Sequence, residues 1–185
     1  MSGTLLPEAV VFIAASLDGY IARSDGDLDW LVGRSESDGG DHGYADFMES
    51  IDTLVMGRKT FEKVLSFDPW PYTGTRVIVL STGSVGVPDA LKSTVEVVSL
   101  EPEALLRYLG VTGARRVYVD GGQTIQRFLR AGLIHEMTVT RAPVLIGSGV
   151  PLFGGLSEDI EWEHIETQAF SNGLVQSRYR VGSAA

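Results

Sequence analysis

Val10-Val11-Phe12-Ile13-Ala14-Ala15 lies in an unbroken apolar run between Glu8 and Ser16, the pattern of a strand covered on both faces. The stretches 53–56, 76–80, 94–99 and 117–119 also read as strands. Between them the period lengthens. Tyr44, Phe47, Met48 and Ile51 recur at helical spacing and predict a helix over 41–51. The stretch 60–65 predicts another. The stretch 102–108 opens with Pro102 and Glu103, which suit a helix's first turn, and 125–131 predicts a helix closed by Gly132. Beyond Gly132 the helical period does not return. Residues 134–141, 161–170 and 175–181 look extended, with Ser171-Asn172-Gly173 as the hairpin turn joining the last two. Alternating strands and helices imply parallel pairing, and consecutive strands imply antiparallel pairing. The expected fold is therefore α/β: a mixed sheet, mostly parallel with antiparallel C-terminal strands, and helices on both faces.

Length keeps this to one domain. At 185 residues, 44% hydrophobic and 21% charged, the chain can bury one good core, and residues 1–185 are read as a single domain. The glycine-rich stretches at 33–43, 82–88 and 142–158 are loop-sized and interrupt no composition boundary. A formal charge of −9 argues against nucleic acid and anionic membranes as partners. Cysteine is absent, which excludes disulfides and thiolate chemistry. Met1-Ser2-Gly3-Thr4 carries neither a basic region nor an apolar core, and no run approaches the ~18 apolar residues of a membrane span, so cytoplasm is the expected compartment. His42, His135 and His164 lack metal-ligand spacing, and no metal is expected.

The few cations cluster where they bear on chemistry. Met56-Gly57-Arg58-Lys59-Thr60 lies between a strand and a helix, so a strand delivers glycine and two cations to a helix start. Free N–H groups in a helix's first turn attract phosphate, glycine permits close approach, and Arg58 and Lys59 add charge. Asp120-Gly121-Gly122-Gln123-Thr124 repeats the arrangement after the strand at 117–119. Two such turns suggest a dinucleotide. Neither is the G-x-G-x-x-G fingerprint, and Gly147-Ser148-Gly149-Val150-Pro151-Leu152 lacks both its third glycine and a following helix.

These blocks, with Ser16-Leu17-Asp18-Gly19-Tyr20-Ile21-Ala22, Val79-Leu80-Ser81-Thr82, Val139-Thr140-Arg141 and Val144-Leu145-Ile146-Gly147-Ser148-Gly149-Val150-Pro151-Leu152-Phe153, resemble the dihydrofolate reductase superfamily. The closer resemblance is to its riboflavin-biosynthesis branch, the reductase domain of the bifunctional deaminase-reductase, and it spans roughly residues 8–181. It implies a dihydrofolate-reductase-like fold, NADPH as cofactor, a small heterocyclic substrate and a homodimer. Ala14 and Ile21 then match positions that hold the nicotinamide carboxamide. Gly57, Arg58, Lys59 and Thr60 match the first phosphate turn, with Arg58 near the adenosine 2′-phosphate, and Ser81 and Thr82 approach the same phosphate. Gly121, Gly122, Gln123 and Thr124 match the pyrophosphate turn, although Gln123 stands where the folate enzymes often carry a basic residue.

On the substrate side the resemblance places Trp30 and Thr140 near the acceptor, and Asp41 where folate enzymes carry the carboxylate that assists protonation. Two readings of Asp41 stay open. It follows Gly39-Gly40 and also suits the N-cap of the helix at 41–51. The arginine that grips a folate tail falls at Thr75, and its neighbour Arg76 faces the other way along a strand. Three functions follow: an NADPH-dependent reductase of a pyrimidine- or pterin-like heterocycle, resembling the 5-amino-6-(5-phosphoribosylamino)uracil reductase; a dihydrofolate reductase; or a non-catalytic NADPH-binding regulatory module.

Overall fold

Residues 6–35 and 40–182 are described by the computed structural model; the reading of residues 1–4, and of the glycine-rich stretch where it crosses 36–39, lies outside them. The apolar runs are strands, as expected. β1 (Glu8–Ser16), β3 (Thr53–Gly57), β4 (Arg76–Leu80), β5 (Val95–Val98), β6 (Arg116–Asp120), β7 (Ile134–Ala142), β9 (Trp162–Ala169) and β10 (Val175–Val181) form one sheet in the order β5-β4-β3-β6-β1-β7-β10-β9. Pairing is parallel from β5 to β7 and antiparallel for β10 and β9. Two short strands that no periodicity could announce, β2 (Tyr20–Ala22) and β8 (Val150–Pro151), pair outside the main sheet.

Helices cover both faces. On one, α2 (Tyr44–Ser50) and α3 (Arg58–Val64) pack Phe47, Phe61 and Val64 against Val10, Met56, Val79 and Tyr118. On the other, α4 (Pro102–Val111) and α5 (Gly122–Arg130) bring Leu105, Leu109, Ile125 and Phe128 onto Val11, Val55, Val117 and Val119. The alternation of inward side chains along each strand makes these two separate cores. α1 (Asp29–Ser35) was not expected from the pattern. The helix expected over 41–51 begins later, at Tyr44, because His42 at φ 54 and Gly43 at φ 81 turn the chain left-handed just before it. α3 begins earlier than expected, directly off β3, and α5 begins at Gly122 rather than 125.

The middle of the sheet opens. β1 and β6 pair only as far as Val10↔Tyr118, whereas β1 stays with β7 to Ser16↔Ala142 and β6 stays with β3 to Met56↔Asp120. The C-terminal halves of β1 and β6 therefore part, bridged by the Tyr118 hydroxyl donating to Phe12 O at 2.9 Å. Ligands of open α/β sheets bind at such openings.

Candidate cofactor and substrate cleft

The opening continues into a cleft of about 1280 Å³, above the ~300–1,000 Å³ usual for one small ligand and roomy enough for a dinucleotide beside a second molecule. Each position expected to hold the cofactor lines it. Phe12 turns its carbonyl toward β6, so by strand alternation the backbone groups of Ala14, two residues on, face the same opening, and no β6 partner remains to take them. Ile21 lines the cleft from β2. Arg58 and Lys59 are exposed on the first turn of α3, with Glu62 Oε1 at 3.7 Å from Arg58 Nε. Ser81 and Thr82 follow β4 at the same end.

Glycine makes this geometry possible. A Cβ on Gly121, which lies at φ +92, would meet the Thr60 hydroxyl; one on Gly57 would come within 3.1 Å of Thr124 Oγ1; and one on Gly122 would stand 2.8 Å from Pro151 O. The two turns thus lie against each other, and the β8 backbone closes over the second. β8 is held there by Asp18. Its carboxylate accepts from Ser16 Oγ at 2.6 Å, Gly147 N at 2.7 Å and Ile146 N at 3.2 Å, and the Ser16 hydroxyl first, with those amides, holds its pKa below the usual carboxylate range. Two distant sequence blocks meet in that one contact. The sequence reading missed Arg127, which lines the cleft from α5 and is held by Glu101 Oε1 at 3.0 Å.

The opposite wall differs in character. Thr140, 6% exposed, lines it and accepts from Gln176 Nε2 at 3.0 Å. Trp30 does not line it. Also 6% exposed, it packs with Ala142 and Leu174 behind the wall, while Leu28 and Leu31 face the cleft in its place. Asp41 sits at the rim, accepting from Ala45 N at 2.7 Å and Gly43 N at 3.0 Å; the Ala45 amide, then the Gly43 amide, lower its pKa. The N-cap of α2 is Gly43 rather than Asp41, yet from two residues upstream the Asp41 carboxylate takes a first-turn N–H, which favours its charged form. Thr75 lies off the cleft with its N–H on Tyr72 O at 3.1 Å, and the Arg76 guanidinium is engaged by Thr112 Oγ1 at 2.8 Å and Glu96 at 3.2 Å.

The residue that sequence reasoning overlooked is Asp120. It ends β6 on the same face as Tyr118, at the cleft, beside the Tyr44 and Tyr72 rings. Half-buried at the opening, it has a largely desolvated carboxyl; burial raises its pKa to about 6, and only the Gly121 N–H at 2.8 Å works in the other direction. Burial also raises Tyr72 and Tyr44, so all three groups stand protonated more readily than in water. A signal existed: an acid ending a buried strand, immediately before paired glycines. Among the described residues no cluster of His, Asp or Glu could hold a metal, and no helix is long and apolar enough to cross a membrane.

Comparison with known proteins agrees with this architecture. Residues 7–176 match the RibD C-terminal domain family. A Shewanella sp. PV-4 protein assigned provisionally to riboflavin biosynthesis is 42% identical, with a TM-score of 0.89 over 95% of this chain and 99% of its own. The Thermotoga maritima diaminohydroxyphosphoribosylaminopyrimidine deaminase/5-amino-6-(5-phosphoribosylamino)uracil reductase shares the fold at 18% identity, with a TM-score of 0.72 over 96% of this chain and 57% of its own. So does an Enterococcus faecalis dihydrofolate reductase complexed with NADP(H), at 18% identity and a TM-score of 0.67 over 97% of this chain and all of its own. The match across most of the chain, carried by a parallel sheet that opens between β1 and β6, makes this protein a member of the RibD C-terminal domain family, with a dihydrofolate-reductase-like fold.

Proposed function

We propose that the chain is an NADPH-dependent reductase of a pyrimidine- or pterin-like heterocycle, acting as one domain and resembling the 5-amino-6-(5-phosphoribosylamino)uracil reductase. The observation that carries this is the single cleft in which two glycine turns, two helix starts and the free backbone of β1 converge. The residues fit a dinucleotide. Gly57, Gly121 and Gly122 let the two turns and β8 pack against one another, which brings the first turns of α3 and α5 together at the cleft where a pyrophosphate can meet their backbone N–H groups. Arg58, Lys59, Ser81 and Thr82 suit the 2′-phosphate, Gln123 and Thr124 the pyrophosphate, and Ala14 and Ile21 the carboxamide. NADPH, when bound, supplies the hydride. The protein's task is to hold the acceptor against the nicotinamide, exclude water and deliver a proton.

Asp120 is the group suited to that proton. Its carboxyl, raised to about 6, is partly protonated near neutrality, while Asp41 is held in its charged form by Ala45 and Gly43. A desolvated acid at the cleft also favours a catalyst over a regulatory module. A dihydrofolate reductase is disfavoured, since neither Thr75 nor Arg76 offers its side chain to a glutamate tail. The compartment inferred is the cytoplasm, and the assembly a homodimer, for which β9 leaves a sheet edge unpaired; sedimentation at micromolar concentration tests the latter.

Nicotinamide fluorescence titration tests the cofactor. Native protein should bind NADPH about ten- to a hundredfold more tightly than NADH, and Arg58→Ala should remove most of that preference, as loss of a charge-assisted contact predicts. Equal affinities in the native chain would show that the phosphate end is misplaced.

A further inference from the structure

β2 and β8 wall the cleft through Ile21, Ala22 and Val150 without belonging to the main sheet. Their place is therefore set by side chains and turns. Above Gly122 they are close: a Cβ there would stand 2.8 Å from Pro151 O, 3.0 Å from Val150 Cγ1 and 3.4 Å from Ile21 Cδ1. β8 is fixed at both ends. After it, Leu152 is fully buried among the residues of α5, its N–H donates to Gly19 O at 3.0 Å, and Gln126 Nε2 of α5 donates to Pro151 O at 2.9 Å. Before it, Leu17 N donates to Val144 O at 2.8 Å, and the Asp18 carboxylate then gathers Ile146 N on Oδ1 and Gly147 N on Oδ2. Ser16, fully buried, donates its hydroxyl to the same Oδ1 and accepts from Tyr20 N at 3.0 Å. One carboxylate thus joins the end of β1, the start of β2 and the approach to β8.

From this arrangement, and resting on the cofactor reading above, we infer that Asp18 is a positioning residue for the cofactor: its clasp aligns the β8 wall over the pyrophosphate turn with the β1–β2 wall at the nicotinamide. Asp18 is exposed and lies off the cleft, so it acts through β2 and β8. A carboxylate suits three converging donors, because it offers acceptor lone pairs alone and strengthens each bond by its charge. Without the clasp, the segment entering β8 has little stiffness of its own, with Gly147 at φ 78 and Gly149 within it. Leu152 still anchors the far end, so the chain folds while fewer molecules hold β8 and β2 in register. Apparent affinity falls in proportion to the fraction that is competent. The adenosine end escapes this loss. Arg58, Ser81 and Thr82 stand on α3 and after β4, which Asp18 does not touch.

The test uses the full chain and two probes: NADPH, which spans both walls, and 2′-AMP, which reaches only the adenosine end. NADPH is titrated by fluorescence and 2′-AMP by NMR. Asp18→Ala is expected to weaken NADPH about tenfold or more while 2′-AMP binds within about twofold of native. Asp18→Asn keeps an oxygen for Ser16 and Ile146 but turns an NH2 toward Gly147 N, so its NADPH affinity should fall between native and Ala. This variant decides the matter if Asp18→Ala does not fold. NADPH affinity unchanged in the variants overturns the inference. So does an equal loss of both probes, which a general loosening of the fold would give. A native chain that fails to bind NADPH or 2′-AMP fails the cofactor reading itself, whereas native binding without the split in the variants fails only the role of Asp18.

Discussion

Gly121 shows how closely single residues set this cleft. It lies at φ +92, where L side chains are strained, and its Cα faces the Thr60 hydroxyl at the contact between the two turns. Gly121→Ala is expected to cost at least about 2 kcal/mol of stability and to weaken NADPH, because either the backbone or Thr60 must move; urea unfolding and cofactor titration of the same preparation check both. Asp41 is the converse case, a residue at the cleft whose hydrogen bonds are spent on its own helix. Asp41→Ala should lower the melting temperature, while Asp41→Asn, which caps about as well, should leave both melting and turnover near native. A fall in kcat of about 10² or more in the Asn variant would make Asp41 the proton donor instead.

At the scale of elements, the cofactor end depends on how α5 is seated. Phe128, fully buried, packs with Ile125 and Leu129 onto the sheet and fixes where the first turn of α5 points. Phe128→Ala should cost about 3–5 kcal/mol in chemical denaturation, the range for emptying a large core site. NADPH should partly restore the loss by binding only the folded state. The strand and helix pattern made α5 legible as an element. It did not reveal that β8, two residues long, would bring Pro151 O against Gly122, since so short a strand leaves no period to read. Nor did it reveal α1, where Trp30 is turned inward onto Ala142 and Leu174 instead of toward the cleft.

For the whole molecule, the desolvated carboxyl of Asp120 links folding to pH. Its folded pKa of about 6 lies above the unfolded value of 3.8, so its contribution is most favourable below 3.8, fades as pH rises toward about 6, and stays lost above that. At about 1.4 kcal/mol per pH unit the full swing is about 3 kcal/mol. Asp120→Asn removes it. The unfolding free energy of the variant, minus that of the native chain, should therefore rise by about 2–3 kcal/mol between pH 4 and pH 7, other groups cancelling in the difference. A pH-independent difference would show that the carboxylate is solvated in the folded protein.

What the sequence determined by itself was whatever is local in cause. Apolar runs such as 10–15 and 117–119 had to be buried strands, Gly57 and Gly121 had to mark turns, and Arg58 with Lys59 had to place positive charge at a helix start, because burial, backbone freedom and charge act at the residue that carries them. The tertiary structure decided what depends on residues far apart in the chain. β1 and β6 part company after Val10↔Tyr118, and that opening exists only because β7 and β3 keep hold of the two strands on their other sides. Asp120 reads in the sequence as an ordinary acid before a turn. It becomes a weak one only where the fold desolvates it beside Tyr44 and Tyr72, recruited from segments far along the chain, since desolvation belongs to a surrounding and not to a residue.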